Sequence, residues 1–138
     1  MTALPLSRLT AVRDQGRLLR LALRLDAAAS GALGLLAVGA AAPLSGLLGP
    51  SAGVLRGTGA FLVVYALALV LVAARPVISR PAAWAVVVGN SAWVLGSVGA
   101  VVAGREELTT LGVAVVLAQA AAVAVFADLQ WLGLRRAR

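Results

Sequence analysis

The sequence contains no histidine and no cysteine. Their absence excludes haem with His or thiolate ligands, zinc sites built on imidazole, iron–sulfur clusters and thiol redox chemistry. It also excludes catalysis by a cysteine nucleophile or a histidine base. Only five residues are acidic, so a metal site with oxygen ligands would have few donors. No catalytic motif is present either, and we expect no enzyme activity, no cofactor and no metal.

Lysine is also absent, and all 12 basic residues are arginine. Together with the abundant Ala, Leu, Val and Gly, this usage is typical of a GC-rich bacterial genome. The formal net charge is +7. In an apolar chain, arginines mark the cytoplasmic side of a membrane and contact anionic lipids. We therefore expect membrane lipids as partners, and we do not expect nucleic acid.

Charged residues make up only 12% of the chain, whereas hydrophobic residues make up 62%. A soluble domain carries about twice that share of charged residues. Four apolar stretches, at 25–42, 57–74, 82–103 and 109–132, have close to the roughly 20 residues that a helix needs to cross a bilayer. The sequence predicts an all-α membrane protein with four transmembrane helices.

The arginines are distributed unevenly along the chain. Ten lie at the N-terminus, in the connection 75–81 or at the C-terminus, whereas only Arg56 and Arg105 lie on the other side of the predicted membrane. Cytoplasmic segments carry the excess of arginine. We therefore expect both termini in the cytoplasm and the protein in the bacterial cytoplasmic (inner) membrane. Short connections favour an up-down-up-down bundle, in which the first and fourth spans are neighbours.

Residues 1–24 form a basic segment before the first span. Arg13, Arg17, Arg20 and Arg24 recur at helical spacing on one face. This pattern predicts an amphipathic N-terminal helix that leads into the first span or is continuous with it. The helix would lie along the headgroups or offer a docking surface to a cytoplasmic partner. Residues 25–132 would form the transmembrane domain, and residues 133–138 a basic cytoplasmic tail.

The segment 43–56 is apolar, nearly uncharged and interrupted by Gly and Pro. Irregular backbone cannot face lipid. We therefore predict an outer loop that lies at the membrane interface or caps the outer mouth of the bundle. Small residues within the spans predict faces of close helix packing, and they include Gly31, Gly34, Gly59, Gly89 and Gly96.

Polar residues at membrane depth are the best functional indicators in this chain, because charged groups are costly there. Asp26 and Asp128 are expected at similar depth near the inner ends of the first and fourth spans. Each carboxylate would pair with an arginine such as Arg24, Arg75, Arg80 or Arg135. Alternatively, the two carboxyl groups would share a proton or line a hydrated pocket.

Tyr65, Asn90, Trp93 and Ser97 form a second candidate site. Asn90, Trp93 and Ser97 follow one another by about one helical turn on the third span. With Tyr65 they would line a polar and aromatic pocket for a ligand. The alternative is that Asn90 makes an interhelical hydrogen bond and Trp93 fills space. Gln119 would bond to a neighbouring helix or face a second protomer.

Several segments together carry a resemblance. They are LDAAASGA at 25–32, RGTG at 56–59, Tyr65 with Ala66, Trp84 with Asn90 and Trp93, and Gln119 with Gln130. With them the chain resembles small four-span bacterial integral membrane proteins that have no assigned activity, over nearly its whole length. The resemblance implies the fold and the membrane, and it implies no function.

These observations favour a non-catalytic membrane protein that binds a lipid or another apolar small molecule between its helices. One alternative is an accessory or assembly subunit of a larger membrane complex. Another is a proton-linked carrier of a small solute that uses Asp26 and Asp128 and acts as a homodimer.

Overall fold

A computed structural model describes the backbone of residues 6–104 and 107–136, and the side chains from residue 16 onward within those ranges. The described residues form five helices, with no β-strand among them: α1 (Leu6–Gly39), α2 (Ala41–Leu48), α3 (Ala52–Ala74), α4 (Arg80–Ala103) and α5 (Thr110–Arg136). All but α2 contain a stretch long and apolar enough to cross a membrane, which in α1 is Gly16–Gly39. The predicted all-helical class and its four long apolar helices are confirmed.

The basic segment and the first apolar stretch form one continuous helix, which is one of the two arrangements expected from the sequence. The predicted boundary at residue 24 falls inside α1, which continues without a break to Gly39. Leu19, Ala22 and Leu23 are buried between the arginines of this segment. These side chains recur at helical spacing, so the C-terminal part of the basic segment packs into the bundle. The side chain of Arg13 lies outside the described residues.

The predicted outer loop 43–56 is instead largely helical. It contains most of α2 and the first residues of α3. Pro43 lies in the first turn of α2, where a backbone N–H has no partner within the helix, so proline is tolerated. Gly49 ends α2 with a φ of 110°, and the Ser51 hydroxyl caps α3 by accepting a hydrogen bond from the Val54 N–H at 3.2 Å. The Gly and Pro residues near position 50 therefore mark one sharp turn between α2 and α3.

The long helices contact one another unequally. α1 packs along α3 and α5, α4 packs along α5, and α3 barely touches α4. The predicted contact between the first and fourth spans, α1 and α5, is therefore present. Small residues bring α1 and α3 close together, because a Cβ added to Gly59 would lie 2.6 Å from the Gly34 carbonyl oxygen. Gly89 and Gly96 of α4 instead have no atom within 4 Å of such a Cβ, so they do not form a packing face within the chain.

Arginine side chains tie helix ends together at one end of the bundle. The Arg20 guanidinium donates to the carbonyl oxygens of Ala73, Arg75 and Pro76 at the end of α3. The Arg80 guanidinium donates to the Leu134 carbonyl oxygen in the last turn of α5, at 3.3 Å. We call this the basic end. Positive charge there stabilises exposed carbonyls at helix C-termini.

The opposite end is held by Thr109. Its hydroxyl donates to the Leu47 carbonyl oxygen at 2.7 Å, and its N–H donates to the Leu48 carbonyl oxygen at 3.0 Å. The same hydroxyl accepts from the Gly112 N–H at 2.9 Å, which caps α5. This residue therefore joins the end of α2 to the start of α5.

Candidate functional site

A carboxyl group is buried in the interior of the bundle. Asp26 of α1 is only 1% exposed. Its Oδ2 accepts hydrogen bonds from the Asn90 amide of α4 at 2.7 Å and from the Gln130 amide of α5 at 2.8 Å. Its Oδ1 accepts from the Ser30 hydroxyl, one turn further along α1, at 3.1 Å. Three helices thus converge on one side chain.

Asn90 extends this network to the fourth long helix. Its Nδ2 also donates to Gln130 Oε1 at 3.0 Å, and its Oδ1 accepts from the Tyr65 hydroxyl of α3 at 2.7 Å. We call Asp26, Ser30, Tyr65, Asn90 and Gln130 the polar cluster. Within the described part of the chain, no buried side-chain nitrogen or oxygen lacks a hydrogen-bond partner. Each buried side-chain nitrogen and oxygen of the polar cluster therefore has at least one partner, as is usual for buried polar groups.

The polar cluster lies deep within the apolar part of the bundle. Asp26 is six residues beyond Arg20, which places it roughly 9 Å further along the helix from the basic end. The sequence placed Asp26 at the inner end of the first span. In the structure Asp26 lies 13 residues before the end of α1 at Gly39, which is roughly 20 Å of helix. A charge at the centre of a membrane helix costs about 2.5–3.5 kcal/mol on insertion scales.

The structure answers the alternatives that the sequence left open for the two aspartates. Among the described residues, Asp26 has neutral partners and forms no ion pair with an arginine. Asp128 is exposed on the outer surface of α5, so the two carboxyl groups are not brought together. Residues two apart on a helix point about 200° apart, so Asp128 faces outward where Gln130 faces inward.

Trp93, Ser97 and Gln119 form a second network. Trp93 Nε1 donates to Gln119 Oε1 at 2.7 Å, and Gln119 Nε2 donates to Ser97 Oγ at 3.0 Å. Gln119 therefore bonds to the neighbouring helix α4, which is one of its two expected roles. The predicted pocket residues are divided as a result: Tyr65 and Asn90 belong to the polar cluster, whereas Trp93 and Ser97 bond to Gln119.

Three aromatic rings occupy the gap where α3 and α4 diverge. Phe61 stacks on Tyr65 with ring centroids 6.2 Å apart, and on Trp93 with centroids 6.0 Å apart. The Phe61 side chain is 56% exposed, whereas Tyr65 and Trp93 are half-buried. We call this gap, bounded by Phe61, Tyr65 and Trp93, the α3–α4 seam. Tyr65 therefore belongs both to the seam and to the polar cluster.

A shallow groove lies between the end of α3 and the start of α4, at the basic end. Its volume is about 370 Å³, and it is lined by Leu71, Val72, Arg75, Ser79 and Ala82. The two helices that border the seam therefore also border this groove. Its lining is mainly apolar, with one cationic side chain.

Two contributors to the site were not assigned to it from the sequence. Gln130 is completely buried and shares the inner face of α5 with Ala127 and Leu134, three residues before and four after it. Phe61 precedes Tyr65 by four residues, so the two rings share one face of α3. Helical spacing was the available signal for both, once the inward face of each helix is known.

No protein-family model, curated protein or solved structure matches this chain.

Proposed function

We propose that this chain is a non-catalytic, multi-pass protein of the bacterial inner membrane that binds an amphipathic, lipid-like molecule between α3 and α4. In this proposal the spans alternate in direction, and both termini lie in the cytoplasm together with the basic end. The observation that carries the proposal is the α3–α4 seam. There the Phe61 ring stacks on Trp93 and on Tyr65, and Tyr65 is a member of the buried polar cluster.

The seam has the composition of a small-molecule site. Ligand pockets are mostly apolar and aromatic, with a few polar groups that fix orientation. Here Phe61 and Trp93 provide flat apolar surface, and the Tyr65 hydroxyl connects the seam to Asn90 of the polar cluster. A ligand dissolved in the bilayer would enter sideways, with its apolar body against the rings and its polar group directed towards Tyr65 and Asn90.

The weak contact between α3 and α4 favours this entry path. α1 is held to α3 by close glycine contacts, and α5 packs along both α1 and α4. Between α3 and α4 the described polar and ring contacts are one hydrogen bond, from Tyr65 to Asn90, and one ring stack, of Phe61 on Trp93. Towards the basic end, buried apolar side chains of both helices also share the hydrophobic core. Separating these two helices therefore disrupts fewer interactions than opening the α1–α3 interface.

Photocrosslinking in a bilayer tests the site. Protein reconstituted with a phospholipid that carries a diazirine on its acyl chain would be irradiated, digested and mapped. Labelling of the seam around Phe61 should saturate with increasing probe, because a site has finite occupancy. Labelling around Leu35, which is 66% exposed on α1, should rise without saturation, as expected for bulk lipid. Equal and unsaturated labelling at both positions would contradict the proposal.

A second candidate function is that of an accessory subunit, and the outer face of α4 favours it. Small residues recur there with alternating spacings of four and three, and all are exposed: Ala85, Gly89, Ala92, Gly96, Gly99 and Ala103. Such a face allows another membrane helix to approach closely. This candidate predicts that a specific membrane protein co-purifies with the wild type and is lost on Gly96→Leu. An unchanged set of co-purifying proteins would remove it.

A further inference from the structure

Asp26 is the one buried acidic side chain among the described residues. Its hydrogen-bond partners, Ser30, Asn90 and Gln130, are all neutral. Tyr65, which donates a hydrogen bond to Asn90, is neutral as well. The polar cluster therefore holds a carboxyl group without a positive partner from the described part of the chain, at a depth where charges are normally paired.

The arginines of the described region are occupied elsewhere or lie outside the cluster. Arg20 and Arg80 donate to backbone carbonyls at the basic end, and Arg135 lies 4.8 Å over the Trp131 ring. Arg24 lines a groove of about 340 Å³ with alanines and Val70, and it makes no hydrogen bond to Asp26. None of these arginines forms an ion pair with Asp26 in the described part of the chain.

The carboxyl group has an unused acceptor position. A carboxylate offers about four lone-pair sites on its two oxygens. Asp26 Oδ2 accepts two amide N–H groups, whereas Oδ1 accepts a single hydroxyl, at 3.1 Å. One acceptor position on Oδ1 is left for a further donor.

From this charge imbalance we infer that the amphipathic ligand carries a protonated amine, which forms an ion pair with Asp26 Oδ1. This inference rests on the proposed ligand site and names the chemistry of its polar group. The amine would pass the Tyr65 hydroxyl to reach Oδ1, while its apolar body remains in the α3–α4 seam. An anionic headgroup fits poorly, because the carboxylate would repel it.

Dodecylamine and dodecanol are suitable probes, because they share one alkyl chain and differ in charge. Each would be titrated into the purified full chain in a neutral detergent, and the bound fraction would be read by native mass spectrometry. We expect the wild type to prefer dodecylamine by about tenfold, as when a charge-assisted hydrogen bond replaces a neutral one. The variant Asp26→Asn should bind the two probes equally. The matched control Asp128→Asn removes an exposed carboxyl group of α5 and should keep the preference.

The outcomes separate this inference from the proposal on which it rests. If neither probe binds to the wild type, the proposed ligand site itself fails. If both bind equally, the site stands and the amine inference is overturned. A preference that survives in Asp26→Asn also overturns it.

A second variant keeps the inference testable if Asp26→Asn does not fold. Ser30→Ala removes the one donor to Oδ1 and leaves the amide bonds of Oδ2 intact. It should strengthen the preference for dodecylamine, because Oδ1 then has a greater need for a donor. An unchanged or weaker preference in folded Ser30→Ala would contradict the ion pair.

Discussion

Replacing Asn90 by alanine should destabilise the bundle more than any other single truncation of a polar side chain on α4. The Asn90 side chain makes three hydrogen bonds, to Asp26, Gln130 and Tyr65, and is 3% exposed. Interhelical bonds in membranes average about 0.6 kcal/mol each, so their loss costs roughly 2 kcal/mol. The substitution also leaves the Tyr65 hydroxyl and Gln130 Oε1 without these partners. Each buried polar group left unsatisfied adds about 1–3 kcal/mol unless it finds a new partner.

The assay is reversible unfolding in mixed micelles with increasing dodecyl sulfate, followed by circular dichroism. Ser91→Ala is the matched control, because Ser91 is the next residue on α4 but is exposed and bonds only to the Val87 carbonyl oxygen of its own helix. Asn90→Ala should lower the free energy of unfolding by at least about 2 kcal/mol, whereas Ser91→Ala should change it by less than about 0.5 kcal/mol. Equal effects of the two variants would refute the view that Asn90 joins the helices.

Two further substitutions test the contacts that hold the helices in place. Gly59→Ala should destabilise the α1–α3 interface by about 1–3 kcal/mol, because the new Cβ would lie 2.6 Å from the Gly34 carbonyl oxygen. Gly57→Ala on the same helix has no atom within 4 Å of the new Cβ and should be neutral or stabilising in the same unfolding assay. Similar losses in both variants would be incompatible with this packing. Thr109→Val should cost about 1–2 kcal/mol through loss of the cap and of the bond to the Leu47 carbonyl, while Thr110→Val should cost little, and thermal denaturation would compare them. If Thr110→Val proved the more damaging of the two, the assigned cap would be wrong.

Hydropathy alone predicted the number of long apolar helices, because each span needs an apolar stretch that few other structures require. The predicted start of the first apolar stretch falls inside α1, because the arginines between residues 17 and 24 lower the average hydropathy there. In the helix those arginines lie towards the surface or a helix end, while Leu19 and Leu23 are buried. Average hydropathy is insensitive to this division of faces.

The short helix α2 was predicted as a loop because its segment contains Pro43 and Gly46. Proline is compatible with a first helical turn. The ties of Thr109 to Leu47 and Leu48 supply contacts from a distant part of the chain. Such support from outside the segment cannot be read from local composition.

Three members of the polar cluster could be found from the sequence, but Gln130 and the arrangement of the cluster could not. Asp26, Tyr65 and Asn90 are recognisable because polar residues at membrane depth are few. The choice between Asp128 and Gln130 depends on how α5 is rotated, and two residues on a helix reverse the direction of a side chain. That rotation is set by small residues such as Gly133, whose added Cβ would lie 2.9 Å from the Leu19 Cα.

The central claim is that a small molecule occupies the α3–α4 seam. The most direct measurement is native mass spectrometry of the protein extracted gently from its own host membrane, with Phe61→Ala compared with the wild type. The exposed Phe61 ring contributes to the seam and to no hydrogen bond of the polar cluster, so the variant should fold normally. The account predicts one reproducible amphipathic molecule on the wild type and its loss from the variant. A wild type that carries no small molecule, or the same molecule retained by Phe61→Ala, would contradict the claim.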